Sequence, residues 1–172
     1  MKKIISTQNH LSGIRKSSIY IESDNTDAFK SRKNLAKLLS VQNKIDKLPE
    51  TSSTLSIASV AASAYQVFIQ STSDADFIVP YSSEFIDKVL AYAKEVPLTR
   101  NLLREHNQAA QITINYQVYS TTDFARYMKK IRRILNSKFR DSSFTYELSN
   151  QTVVGSVDAI NHIIKIQLVS IG

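Results

Sequence analysis

Three times in this chain a strand-like run stops at a serine, crosses a short polar cluster containing a phenylalanine, and enters an amphipathic pattern. The runs are Ser18 to Ser23, Tyr65 to Ser71 and Gln111 to Ser120, and their terminal serines lie 48 and then 49 positions apart. The clusters are Thr26, Asp27, Ala28 and Phe29; then Asp74, Ala75, Asp76 and Phe77; then Thr122, Asp123 and Phe124. Serine, threonine and aspartate before an apolar periodic run are the residues that satisfy the free amides of a helix start. The pattern therefore predicts an α+β protein with capped helices. The connecting segments do not align, so recurrent capping accounts for the spacing without a duplication.

The rest of the chain divides by periodicity and by its prolines. Residues 1–17 read as an extended arm with a turn at Gly13, and 18–172 as one α+β domain. An apolar stripe at helical spacing predicts a helix from Thr26 to Leu48, with Thr26 or Asp27 as cap and Pro49 as its stop. Residues 49–54 read as a polar linker. Leu55 to Ser71 is rich in β-branched and aromatic residues and reads as one long strand or two, with Tyr65, Val67 and Ile69 sharing a face. Phe77 to Tyr81 reads as a short edge strand because of Pro80.

Ser82 or Ser83 starts a helix to Val96 with Phe85, Val89, Leu90 and Tyr92 or Ala93 inward, and Thr99 to Ala110 reads as a second short helix. In 112–119, Ile112, Ile114, Tyr116 and Val118 alternate with Thr113, Asn115, Gln117 and Tyr119, which is a half-buried strand. Helix 121–138, strand 143–148 and a hairpin of Thr152–Ala159 with His162–Ile171 complete the order. The expected architecture is a mixed or antiparallel sheet packed against two to four amphipathic helices.

Composition narrows the chemistry. There is no cysteine among the 172 residues, which excludes disulfides, thiolate metal sites and cysteine nucleophiles. Three glycines, Gly13, Gly155 and Gly172, cannot build a phosphate-cradling loop. His10, His106 and His162 sit in separate segments without a second ligand at metal spacing. Asp74 and Asp76 have the spacing of a metal-binding pair, but their place between a strand end and Phe77 suits a turn. No catalytic, cofactor or metal site is expected, and the chain reads as non-enzymatic. No apolar run approaches the length of a membrane span, so the protein is expected to be soluble and cytoplasmic, or incorporated into a virion.

Two surfaces stand out. The net charge of +7 is carried by the first 48 residues and by residues from 112 onward, while the segment between them is acidic. Along helix 121–138, Phe124, Tyr127, Met128, Ile131 and Leu135 form the stripe to be buried. Arg126, Lys129, Lys130, Arg132, Arg133 and Lys138 are then candidates for contact with an anion or nucleic acid. The second surface is an uncharged polar strand face of Thr113, Asn115 and Gln117, joined by Gln167, which can meet another protein without stranding a charge.

The strand–helix–strand–hairpin order from Ile112, with the run from Ile112 to Ser120 passing into Thr122, Asp123 and Phe124, resembles phage tail terminator and tail-completion proteins. A ferredoxin-like module shares that order. The resemblance implies a subunit of a tail or neck ring whose partners are copies of itself and other assembly proteins. The expected function is thus structural, with nucleic-acid binding through helix 121–138 as the alternative.

Overall fold

The computed structural model describes residues 14–104, 106–140, 143–151 and 166–167. Strand β1 (Arg15–Ser23) lies at the middle of a sheet whose order is β2-β4-β1-β5-β6. The others are β2 (Thr51–Ser56), β3 (Leu103–Arg104), β4 (Ala109–Tyr116), β5 (Phe144–Gln151) and β6 (Ile166–Gln167). Short β3 pairs with the same edge of β4 that β2 uses further along. Every pairing is antiparallel. Ile19 sits between Ile112 and Leu148, and Ile21 between Ala110 and Tyr146, so register aligns the apolar residues of three strands on one face.

Among the described residues four helices cover that face: α1 (Arg32–Asp46), α2 (Ile57–Phe68), α3 (Ser83–Glu95) and α4 (Thr121–Phe139). Their buried residues join Ile19, Ile21, Ile112, Ile114 and Leu148 in one core. Leu35, Leu38, Val41 and Ile45 of α1 lie at its centre. Helix α2 contributes mainly small residues, Ala58, Ala61 and Ala62, which let it approach α1 closely. At the far end, Phe144 packs against both Phe29 and Phe139, with ring centroids 5.7 and 5.3 Å apart. The α+β expectation holds, and the sheet is antiparallel.

Several segments differ from the sequence expectation. β1 begins at Arg15, inside the stretch read as an arm. The helix expected from Thr26 starts at Arg32, after a 3-10 turn at Ala28–Lys30. Asp27 adopts a left-handed backbone there, and its carboxylate accepts a 2.7 Å hydrogen bond from Asn107 instead of capping. Residues 49–54 are not a linker, because Thr51–Ser56 pairs with β4 as a full edge strand. The segment read as strand between Leu55 and Ser71 is helix α2, started by a capping box at Ser56. Phe77–Tyr81 forms no strand, and 99–110 turns back through β3 into β4 rather than forming a helix. The first arm of the expected hairpin, Thr152–Ala159, with Gly155 and the turn near Asn161, lies outside the described residues; of its second arm Ile166–Gln167 is described, as β6, and pairs with β5.

The recurring serines share a local task and nothing larger. The Ser23, Ser71 and Ser120 hydroxyls accept from the amides of Asn25, Ser73 and Asp123. Ser71, however, follows a helix, whereas Ser23 ends a strand and Ser120 caps α4. Capping and turn chemistry produced the spacing.

Candidate interaction surfaces

Helix α4 buries Tyr127, Met128, Ile131, Leu135 and Phe139, and Phe124 stacks on Tyr116 at 5.9 Å. The opposite stripe is exposed and carries Arg126, Lys129 and Arg133 at intervals of three and four residues, with Arg140 beyond the last turn. Arg126 meets Asp123 at 3.1 Å. Lys129, Arg133 and Lys138 are exposed and have no ion pair among the described residues. The remaining two candidates turn toward the fold. Arg132 is half-buried, with an Nε that has no hydrogen-bond partner among the described residues.

Lys130 is the larger departure. Its Nζ lies 2.6 Å from Glu50 Oε1, tying α4 to the residue that leads into β2. Burial acts to raise the Glu50 pKa, yet the Lys130 hydrogen bond, a backbone hydrogen bond and the Lys130 and Arg126 charges hold it below the usual value. Lys130 is thus a structural cation. Lys130→Glu should lower stability by about 2 kcal/mol, between the cost of breaking an exposed pair and a buried one. Lys129→Glu should change it by less than about 0.5 kcal/mol. Urea denaturation of the two variants checks this; equal effects would remove the distinction.

Thr113 and Asn115 alternate with the buried Ile112, Ile114 and Tyr116 and so face away from the helices. Thr113 accepts from Gln111 Nε2 at 3.2 Å, and the same nitrogen donates to Ser18 Oγ at 2.8 Å. Asn115 donates to Ser53 Oγ at 3.0 Å. Thr113 and Asn115 are therefore members of a cross-strand polar lattice on the helix-free side of the sheet. Gln117 is exposed beyond the end of β4, where its amide donates to the Glu50 carbonyl. Gln167 pairs in register with Glu147 in β6, apart from the other three.

A third surface was not foreseen. At the end of α2, Val67 and Phe68 are 78% and 70% exposed, and Tyr92 of α3 is 69% exposed. Phe85 lies between the two helices, its ring centroid 5.3 Å from that of Phe68 and 6.0 Å from that of Tyr65. The core side of α3 is Ile86, Leu90 and Ala93, so Leu90 and Ala93 lie inward as expected while Ile86 takes the place expected for Phe85. Phe85, beside α2, and Val89 are half-buried, and Tyr92 is exposed. Reading Tyr65–Gln70 as a strand concealed the patch, because a strand sets Val67 and Phe68 on opposite faces.

The Asp74–Asp76 pair forms a 3-10 turn. Ser73 caps it through the Ala75 amide, and Asp76 accepts a hydrogen bond from Ser71 Oγ. His106 lies in the turn before β4 with a left-handed backbone. Among the described residues, no group of three or more His, Asp or Glu side chains is placed to share a metal ion. No described helix is long and apolar enough to cross a membrane. No family model matches the chain, and no curated protein is significantly similar to it.

Proposed function

We propose that the protein is a non-enzymatic assembly subunit that binds copies of itself or other proteins of a larger complex through the end of α2 and the flank of α3. The observation that carries this reading is the exposed apolar pair Val67 and Phe68 at the end of α2, with Phe85 of α3 packed against Phe68. Contiguous exposed apolar side chains are uncommon on a monomer, and aromatic residues are enriched at protein interfaces. Phe68 is also pre-ordered by its neighbour, so little conformational freedom is lost on docking. A place in a phage tail or neck ring draws support from the strand–helix–strand order from β4 onward.

Light scattering after gel filtration, with identification of co-purifying proteins, tests the reading. The unmodified protein should be oligomeric or partner-bound, and Val67→Asp with Phe68→Asp should weaken association by about 100-fold or more. Both positions are exposed, so circular dichroism and thermal stability should stay close to the parent. A monomer without a partner in its native extract, or association unaffected by the double change, would overturn it.

The exposed cations of α4 favour a second reading, binding to nucleic acid. Arg126, Lys129 and Arg133 form one stripe along an ordered helix, which can track phosphates. Charge reversal at Lys129 and Arg133, with Lys130 left in place, should abolish binding to duplex DNA or RNA without unfolding the protein. Binding to a duplex should fall with salt at a log–log slope near −0.9 per phosphate contact. Failure of the unmodified protein to bind at low salt excludes this reading.

A further inference from the structure

Helix α1 is bordered by a groove of about 420 Å³ that the segment Phe77–Val79 walls on its other side. The volume is in the range of ligand sites. Its floor includes Leu39 and Phe77, and its polar lining is Arg32, Ser40, Asn43, Lys44 and Lys47. All three charged lining residues are cations. No carboxylate among the described residues pairs with any of them. The Arg32 guanidinium carbon is 3.8 Å from the Tyr81 ring centroid, which fixes the plane of the group. Its Nε is buried and has no hydrogen-bond partner among the described residues. The residue as a whole is only half-buried and lines the groove, so its unpaired charge is open to an anion there.

The spacing of the cations constrains the ligand. Arg32 opens α1, whereas Lys44 and Lys47 lie one at its last turn and one just beyond, about 18–22 Å away along the axis. A small anion reaches one end only. We propose that the groove binds an extended peptide segment of a partner protein with an acidic residue at each end and apolar residues at alternate positions between them. Seven residues span about 20 Å in extended form, and their odd-numbered side chains share one face. Acids at the first and seventh positions then reach Arg32 and the Lys44/Lys47 pair, while apolar side chains at the third and fifth lie on the floor. Ser40 lies between the two ends and Asn43 beside Lys44, where they can hydrogen-bond the peptide backbone.

This inference rests on the docking role proposed above and gives the chemistry of one docked element, at a different surface. The probe is a fluorescein-labelled Glu-Ser-Leu-Ser-Leu-Ser-Glu peptide, blocked at both ends and followed by anisotropy on the full chain. Saturable binding is expected. It should weaken about tenfold or more in Arg32→Gln and in the Lys44→Gln, Lys47→Gln double variant. The two lysines are exposed, so the double variant reports even if Arg32→Gln folds poorly. The same peptide with lysine ends should not bind.

Val67→Asp with Phe68→Asp should bind the probe like the parent, which separates failure here from failure of the assembly reading. Absence of saturable binding, or binding indifferent to the lysine variants, overturns the proposal. So does direct binding of dodecanoate, followed by calorimetry, with the same Arg32 dependence when the peptide itself fails to bind, which would make the groove an acyl-anion site.

Discussion

Ser56→Ala should lower the stability of this protein by about 3 kcal/mol, a large effect for the loss of one hydroxyl. Ser56 ends β2 and caps α2 with no loop between them, and it is fully buried. Its hydroxyl accepts from the Ser59 amide and donates to Gln42 Oε1 on α1, while Ser59 Oγ accepts from the Ser56 amide and donates to the Ser56 carbonyl. Losing the cap costs about 0.5–2 kcal/mol. Stranding the buried Gln42 oxygen adds about 1–3 kcal/mol, because that atom was desolvated on folding and then finds no donor. Gln42→Leu in the same background should recover part of the loss by removing the unsatisfied group. Urea denaturation of the single and double variants provides the measurement. A loss under 1 kcal/mol for Ser56→Ala, with no recovery from the second change, would show that water or a neighbour satisfies Gln42 and that the junction is held otherwise.

That junction also explains what the sequence could and could not convey. Ile112, Ile114, Tyr116 and Val118 are buried, as their alternation requires, and α4 buries most of the stripe chosen for it. These elements have apolar residues at one clear period and polar residues opposite. Between Leu55 and Ser71 the two periods overlap. Val60, Tyr65, Val67 and Ile69 carry strand propensity, while the helical signal is a set of alanines whose role is to be small. Only tertiary packing against α1 makes Ala58, Ala61 and Ala62 a core stripe.

The candidate surfaces followed the same rule. Periodicity located the exposed cations Arg126, Lys129 and Arg133, but it could not show that Lys130 is held by Glu50, 80 positions away in the chain. The helix-free polar face was legible from Thr113 and Asn115. The Phe68 patch and the Arg32 groove were not, because each is created by segments distant in sequence that the fold sets side by side.

Raising the pH from 9 to 12 should unfold the protein more readily, and Tyr127 should account for about 2–3 kcal/mol of that loss. Tyr127 is fully buried beneath α4, and its hydroxyl meets Thr51 Oγ1 at 2.8 Å. Burial pushes its pKa up to about 12, opposed by the Thr51 hydrogen bond and assisted by the nearby Glu50 charge. In the unfolded chain the same phenol ionises near 10. Below that value both states hold the proton and the stabilisation is complete. Between about 10 and 12 only the unfolded state releases it, so each step upward favours unfolding, until the folded pKa is passed.

Other groups also contribute to alkaline unfolding, so the informative quantity is the difference between the parent and Tyr127→Phe. At pH 8 the variant should be less stable by about 1 kcal/mol, the worth of the Thr51 hydrogen bond. That difference should shrink above pH 10 and reverse at about pH 10.7, since phenylalanine has no proton to lose. Tyr116 and Tyr146, whose pKa values burial also raises, should leave a weaker alkaline dependence in the variant. A parent–variant difference that stays constant from pH 8 to pH 11.5 would mean that the Tyr127 phenol ionises in the folded protein as readily as in the unfolded chain, and that water reaches the seam between β2 and α4.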